Sequence, residues 1–304
     1  MKAIQMMELY NMMNDNRHLL IADLRKLEFF EDKQIRGSFC IQNNVQSIGS
    51  YIEKHDINAK KNEEKYHTQP IRRMVIVNDE YQKIEQDAQL IKELINSLNM
   101  NQYKVSYLKS SVDTFLDKYP FYRISKTILQ NYENLDNNVD QEKVLFAYSQ
   151  FPQQLQENKL FLGSNLNANS KKQLEALQIK TIIDFKNYEP NVQISGWKKE
   201  QYNYINYPIS EGGEQLIDFC QITDLIESQN GAVLLCCPDG YQITSVVAIG
   251  YLMTLKKQNF NISSLRVFQI RGNTTVNKQL YSQVLTYDPK TIINTNKQQQ
   301  LQQG

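Results

Sequence analysis

The 304-residue chain has one tryptophan, three histidines, four cysteines and seven prolines. Histidines and thiols this scarce leave little material for a metal site, and none shows CxxC or HxxxH ligand spacing. No metal or other cofactor is therefore expected. Long apolar runs are also missing. Nothing approaches the roughly 18 consecutive apolar residues that span a bilayer, which argues against a membrane partner. Residues 1–13 are amphipathic rather than basic and then apolar, so they do not read as a secretory signal. A cytoplasmic protein with reduced thiols is expected. Excess charge is absent as well: 34 basic against 33 acidic side chains give a net charge of +1. That excludes the strongly basic character that drives phosphate-backbone binding, and with it nucleic acid as an expected partner. What the chain has in quantity is amide, 30 Asn and 32 Gln, which fits an AT-rich coding sequence and carries no chemistry.

At roughly 100–200 residues per domain, the length predicts two domains, each able to bury its own core. Short apolar runs alternate with amphipathic segments in both halves, which predicts an α/β fold in which each domain has a mainly parallel central sheet flanked by helices. In the first half a helix is expected from Ile4 to Met13, then strands at His18–Ala22, Met74–Val77 and Tyr103–Leu108. Gln86–Leu98 places Ala88, Ile91, Leu94, Ile95 and Leu98 on one helical face, and Val112–Leu116 opens another helix. Ile124–Leu129 can form a turn or two of helix, and Asn131–Asp140 reads as a linker. The expected division is therefore 1–123, a linker at 124–143, a second domain at 144–290 and a Gln-rich tail at 291–304. In the second half, strands are expected at Lys159–Leu162, Thr181–Phe185, Tyr204–Pro208 and Ala232–Cys236. Helices are expected at Lys171–Leu177, Leu216–Glu227, Thr244–Leu255 and Ser264–Ile270.

The only concentrated chemistry lies at Val233-Leu-Leu-Cys-Cys-Pro-Asp-Gly-Tyr-Gln-Ile-Thr-Ser245. An apolar strand ends in thiols, a short glycine-containing loop follows, and an apolar helix begins at once. Such a loop aims backbone N–H groups at a helix N-terminus, which favours an anion and would depress the pKa of a thiol placed there.

This segment resembles the loop of the dual-specificity protein tyrosine phosphatases, His-Cys-x-x-Gly-x-x-Arg-Ser/Thr. Cys236 stands in the His place, Cys237 in the nucleophile place, Gly240 in the Gly place, Ile243 in the Arg place and Thr244 in the Ser/Thr place. Leu160–Ser164 is similar to the family's opening strand, and Leu174–Phe185 to its next helix and strand. Tyr207–Glu211 is similar to its acid loop, and Tyr251–Met253 with Ser264–Tyr287 to its closing helices, about 140 residues in all. The departures bear on activity. The resemblance assigns the arginine a bidentate grip on phosphate, and Ile243 donates nothing. Pro238 removes an N–H, and Asp239 adds negative charge where a dianion would sit. Glu211 falls at the general-acid position, one methylene longer than the family's aspartate. Cys237 reads either as an inert buried residue or as a reactive thiol, and Glu211 either as an exposed carboxylate or as a proton donor. Arg266 and Arg271 are expected to be solvated or to cap a helix.

The first half, through Leu20–Arg25 and Phe29–Ser38, resembles a rhodanese domain: Asp23, Arg25, Ile35, Gly37 and Ser38 match its motifs, and Gln34 replaces a His. The loop after Val77 holds Asn78-Asp-Glu80 and no thiol, which excludes persulfide chemistry there. Asp23 and Arg25 are expected to form a structural pair, Cys40 to be buried, and Arg72-Arg73 to be a solvated pair rather than a kinase-docking cluster. The two-domain order is similar to that of the MAP kinase phosphatases and their inactive serine/threonine/tyrosine-interacting-like relatives. It implies a catalytically inactive scaffold whose partners are proteins: a kinase, a phosphoprotein, or a structural assembly of the cytoskeleton or cilium. The alternatives are a weak Cys237-dependent phosphatase and a redox-sensing thiol.

Overall fold

In a computed structural model the chain divides into two units, Met1–Gln150 and Phe151–Gly304. The structure describes residues 1–14, 19–41, 72–80, 91, 103–124, 150–186, 200–271 and 277–289. Most of the helix expected at Gln86–Leu98, the expected linker and the Gln-rich tail lie outside these residues.

The first unit comprises β1 (Lys2–Ile4), α1 (Met6–Met13), β2 (Leu19–Asp23), α2 (Leu27–Asp32), β3 (Gln34–Ile35), β4 (Ser38–Cys40), β5 (Arg73–Val77), β6 (Lys104–Leu108), α3 (Val112–Lys118) and β7 (Arg123–Ile124). Five strands form a parallel sheet in the order β1-β6-β5-β2-β4. Strands β2 and β5 are buried along nearly their whole length, as strands covered on both faces must be, which is why they read as unbroken apolar runs. Two expectations are corrected. Ile4 is extended and pairs with Leu108, and the helix begins only at Met6, where the Gln5 N–H donates to Glu8 Oε2 at 2.8 Å. Ile124 pairs antiparallel with Gln34 instead of opening a helix.

At the end of β2, Arg25 and Asp23 form a buried ion pair at 2.8 Å, and the guanidinium also donates to the Lys33 carbonyl at 2.7 Å. Asp79, after β5, stands 3.9 Å from the same guanidinium. Cys40 is buried beside them and its thiol donates to the Arg25 carbonyl. Arg72 and Arg73 are half-buried, not solvated, because Arg73 opens β5 and Arg72 lies just before it.

The second unit comprises β8 (Gln153–Gln156), β9 (Leu160–Ser164), α4 (Asn165–Asn169), α5 (Lys171–Ala176), β10 (Ile179–Asp184), β11 (Asn203–Asn206), α6 (Phe219–Glu227), β12 (Ala232–Cys237), α7 (Gln242–Lys256), α8 (Phe260–Arg271) and α9 (Lys278–Thr286). The sheet order is β11-β10-β12-β9-β8, parallel except for the edge strand β8. Central β12 is buried at all six positions. Helix α7 is buried continuously from Ile243 to Met253, so it is a core helix apolar on every side rather than an amphipathic one. At about 1.5–3 kcal/mol for each large apolar side chain removed from water, this strand and helix anchor the unit, and the loop between them inherits their rigidity. No described helix is long and apolar enough to cross a membrane.

Candidate functional site

Strand β12 delivers two thiols in succession, and strand alternation sends them to opposite faces of the sheet. Cys237 joins the apolar cluster containing Ile243, Val246 and Val247, and all four cysteines are free. Cys237 is only 1% exposed. Its thiol donates to Asp239 Oδ1 at 3.1 Å and lies 3.8 Å from Thr244 Oγ1. Burial, the largest cause, pushes the thiol up to about 11; the Thr244 amide and hydroxyl favour the thiolate, and the Asp239 carboxylate adds to the upward push. At neutral pH the group is therefore protonated, the unreactive form of a cysteine.

Asp239 is exposed, but its Oδ1 also accepts the Tyr241 N–H at 2.8 Å and the Gln242 N–H at 3.2 Å. These donors stand at the N-terminus of α7, where the helix leaves its first amides unpaired and favours negative charge. Burial works to raise the Asp239 pKa, yet the Tyr241 and Gln242 amides and the Cys237 thiol hold it below the usual carboxylate value. Two of the amides that the loop would offer a bound anion, those of Tyr241 and Gln242, thus already serve a carboxylate of the same loop.

Gly240 makes the loop's path feasible. Its φ is +78°, and a Cβ there would sit 2.8 Å from the Ser164 backbone nitrogen, because the loop crosses directly over the end of β9. The Thr244 hydroxyl donates back to the Gly240 carbonyl at 2.8 Å and closes the turn. Ile243, which the sequence resemblance sets in the arginine place, is 1% exposed and packs into the core.

The sequence reasoning missed Arg271. Expected to be solvated or to cap a helix, the last residue of α8 is instead 5% exposed and clamped onto the loop. Nη1 donates to Thr244 Oγ1 at 3.0 Å, Nη2 donates to the Gly240 carbonyl, and the guanidinium lies 4.8 Å from the centre of the Tyr241 ring. Burial lowers its pKa to about 10 against the opposing influence of Tyr241, Cys237 and Asp239. Among the described residues no carboxylate pairs with it directly. Arg266 is half-buried and reaches the Leu155 carbonyl, at 3.5 Å.

Glu211 is exposed on the turn after β11, and the structure gives it no hydrogen bond to the loop. The segment around it is fastened from α9: Gln283 Oε1 accepts the Ile217 N–H at 2.9 Å, while Nε2 donates to the Gly213 and Gln215 carbonyls at 2.8 and 3.0 Å. Of the residues singled out in the sequence, Cys237, Gly240 and Thr244 come together, Ile243 turns into the core, and Glu211 is exposed without a hydrogen bond to the loop. Among the described residues no group of three His, Cys, Asp or Glu side chains is placed to hold a metal ion.

No protein-family model and no curated protein matches the chain. Solved structures similar to it are phosphatase domains. Human DUSP28 is 20% identical over 45% of this chain and 93% of its own, with a TM-score of 0.37. A leucine rich repeat and phosphatase domain containing protein from Entamoeba histolytica is 20% identical over 48% of this chain and 95% of its own (TM-score 0.39). Human tyrosine phosphatase-like serine/threonine/tyrosine-interacting protein is 21% identical over 46% and 95% (TM-score 0.39). Likenesses this distant say nothing of chemistry, which rests on the residues themselves.

Proposed function

We propose that this chain is a catalytically inactive pseudophosphatase that works through protein contacts, as a scaffold or a structural component of a larger assembly. The observation that carries this reading is Ile243: where a dual-specificity phosphatase presents a guanidinium to the phosphate, this chain buries an aliphatic side chain in its core. Loss of one preorganised donor costs about 10²–10³ in rate, and here the charge is lost with it. The protonated Cys237, the Asp239 carboxylate on the loop amides and the exposed Glu211 add to the same conclusion. In this reading residues 144–290 form the degenerate phosphatase-like domain, residues 1–123 a rhodanese-like domain without a catalytic cysteine, and both serve as surfaces. The partners are then proteins, a kinase or phosphoprotein or a cytoskeletal or ciliary assembly, in the cytoplasm.

The test is hydrolysis of an aryl phosphate by the purified protein beside a Cys237→Ser variant. Background turnover in both is expected, and hydrolysis that depends on Cys237 overturns the reading. Recovery of the endogenous protein with its partners then separates a kinase from a structural assembly. The second reading, a weak Cys237-dependent phosphatase, draws on Arg271, which brings a guanidinium to the loop from another helix.

A further inference from the structure

A buried guanidinium without a paired carboxylate is costly unless an anion shares its surroundings, so Arg271 calls for one. Its Nη2 holds the carbonyl of the Gly240–Tyr241 peptide, and the N–H of that same peptide unit donates to Asp239 Oδ1. Pulling on one end of a peptide group polarises the other, as in any chain of hydrogen bonds in a poorly screened setting. The positive charge of Arg271 is thereby passed across the peptide to the N–H that grips the carboxylate. Thr244 relays it a second way, taking Nη1 on its hydroxyl 3.8 Å from the Cys237 sulfur.

Resting on the reading of the loop as a vestigial phosphate site, we propose that the loop is closed by an internal ligand: the Asp239 carboxylate occupies it as a tethered anion, held by Arg271 acting through the Gly240–Tyr241 peptide. Arg271 is a positioning residue, and the class of free ligand that the carboxylate excludes is a tetrahedral oxyanion, whether inorganic phosphate or a phosphate monoester. Asp239 is the device that keeps the loop shut. Asparagine in its place keeps an oxygen for the Tyr241 and Gln242 amides, so the turn survives while the competing charge goes.

The experiment titrates inorganic phosphate, and in a parallel arm phenyl phosphate, into the full chain by calorimetry and by the amide resonances of Tyr241 and Gln242. The wild type is expected to bind neither saturably, and Asp239→Asn to bind with a gain of roughly tenfold or more, the scale of one charge-assisted hydrogen bond exchanged. A gain in the phosphate arm alone marks a site for free phosphate, and a larger gain with phenyl phosphate marks a monoester site. Adding Arg271→Met should abolish the gain. Should that variant fail to fold, Arg271→Lys, which keeps the charge and loses the fork, should cut the gain severalfold. A folded Asp239→Asn that binds no better than wild type, a wild type that binds as tightly as the variant, or a gain indifferent to Arg271 overturns the proposal. Aryl phosphate turnover is scored separately: Cys237-dependent hydrolysis sinks the inactive reading whatever the titrations give, and failed titrations leave that reading intact.

Discussion

Replacing Asp239 by Asn is expected to lower the pKa of Cys237 from about 11. The thiol and the carboxylate oxygen are 3.1 Å apart, and Asp239 is exposed, so the charge acts through a largely aqueous dielectric. With ε between about 40 and 80, a unit charge at that distance is worth roughly 1.3–2.7 kcal/mol, or about 1–2 pKa units, and exposure favours the lower end. Burial, the larger cause of the shift, stays in place, so the variant should titrate near 10 and not fall to the value of a catalytic thiolate.

The same substitution has a signature in stability. A thiol that titrates at about 11 when folded and at the ordinary 9.0 when unfolded has its folded pKa raised, so its contribution is fully present below pH 9. It is lost as pH rises through 11, because the unfolded chain ionises first. Two units correspond to about 2.7 kcal/mol, and Asp239→Asn should roughly halve the loss. The Cys237 ¹³Cβ shift followed from neutral to high pH gives the pKa without requiring reagent access. Urea unfolding at pH 8 and pH 11, with Cys237→Ala as the reference, gives the stability difference. A pKa unchanged or raised in a folded Asp239→Asn would show that burial alone holds the thiol, and that the contact across the loop is electrostatically idle.

Three further outcomes are expected. Ile243→Arg should fail to restore turnover and should destabilise the second unit by several kcal/mol, since it places a charge in the core; a stable variant with Cys237-dependent hydrolysis would refute the packing argument. Gly240→Ala should cost about 2–4 kcal/mol, from the left-handed backbone together with contact against the Ser164 backbone, and a urea midpoint unchanged from wild type would contradict it. In the first unit, Asp23→Asn should cost about 3 kcal/mol by leaving the buried Arg25 guanidinium with only the exposed Asp79, 3.9 Å away, as counter-charge, whereas Asp23→Leu combined with Arg25→Met should recover most of that loss. Equal losses in the single and double variants would mean that the pair is not the source.

The strand β12, the glycine loop and helix α7 were legible because their signals are local: an apolar run, a glycine, a second apolar run. The parallel strands β2 and β5 were readable for the same reason. Strand β8 was not, because three of its four residues are glutamines, which ordinarily mark a surface. Gln153 and Gln154 are nonetheless buried, and Gln153 donates to the Ile270 carbonyl at 3.2 Å. Strand β1, three residues long, offers no period to detect. The role of Arg271 was invisible for a different reason. Its contact with Thr244 joins positions 27 apart, and nothing in a helix-terminal arginine distinguishes one that caps from one that reaches a neighbouring loop. Gln283, which fastens the segment around Glu211 across some 66–70 positions, is equally silent in one dimension.

The residues of the loop make sense together better than singly. An arginine at position 243 would have either to bury its charge in the core where Ile243 now packs, or to turn out toward a loop whose amides already hold the Asp239 carboxylate. With isoleucine there, the side chain adds to the core instead, and the positive charge of the loop comes from Arg271 behind it, aimed at a carbonyl and a hydroxyl rather than at a substrate. Both terminal nitrogens of Arg271 already donate, to the Gly240 carbonyl and the Thr244 hydroxyl, so the guanidinium is committed to the loop's own groups. The arrangement therefore holds the loop's shape with the charge of an arginine, aimed at a carbonyl and a hydroxyl, and leaves the loop amides to a carboxylate of the same loop.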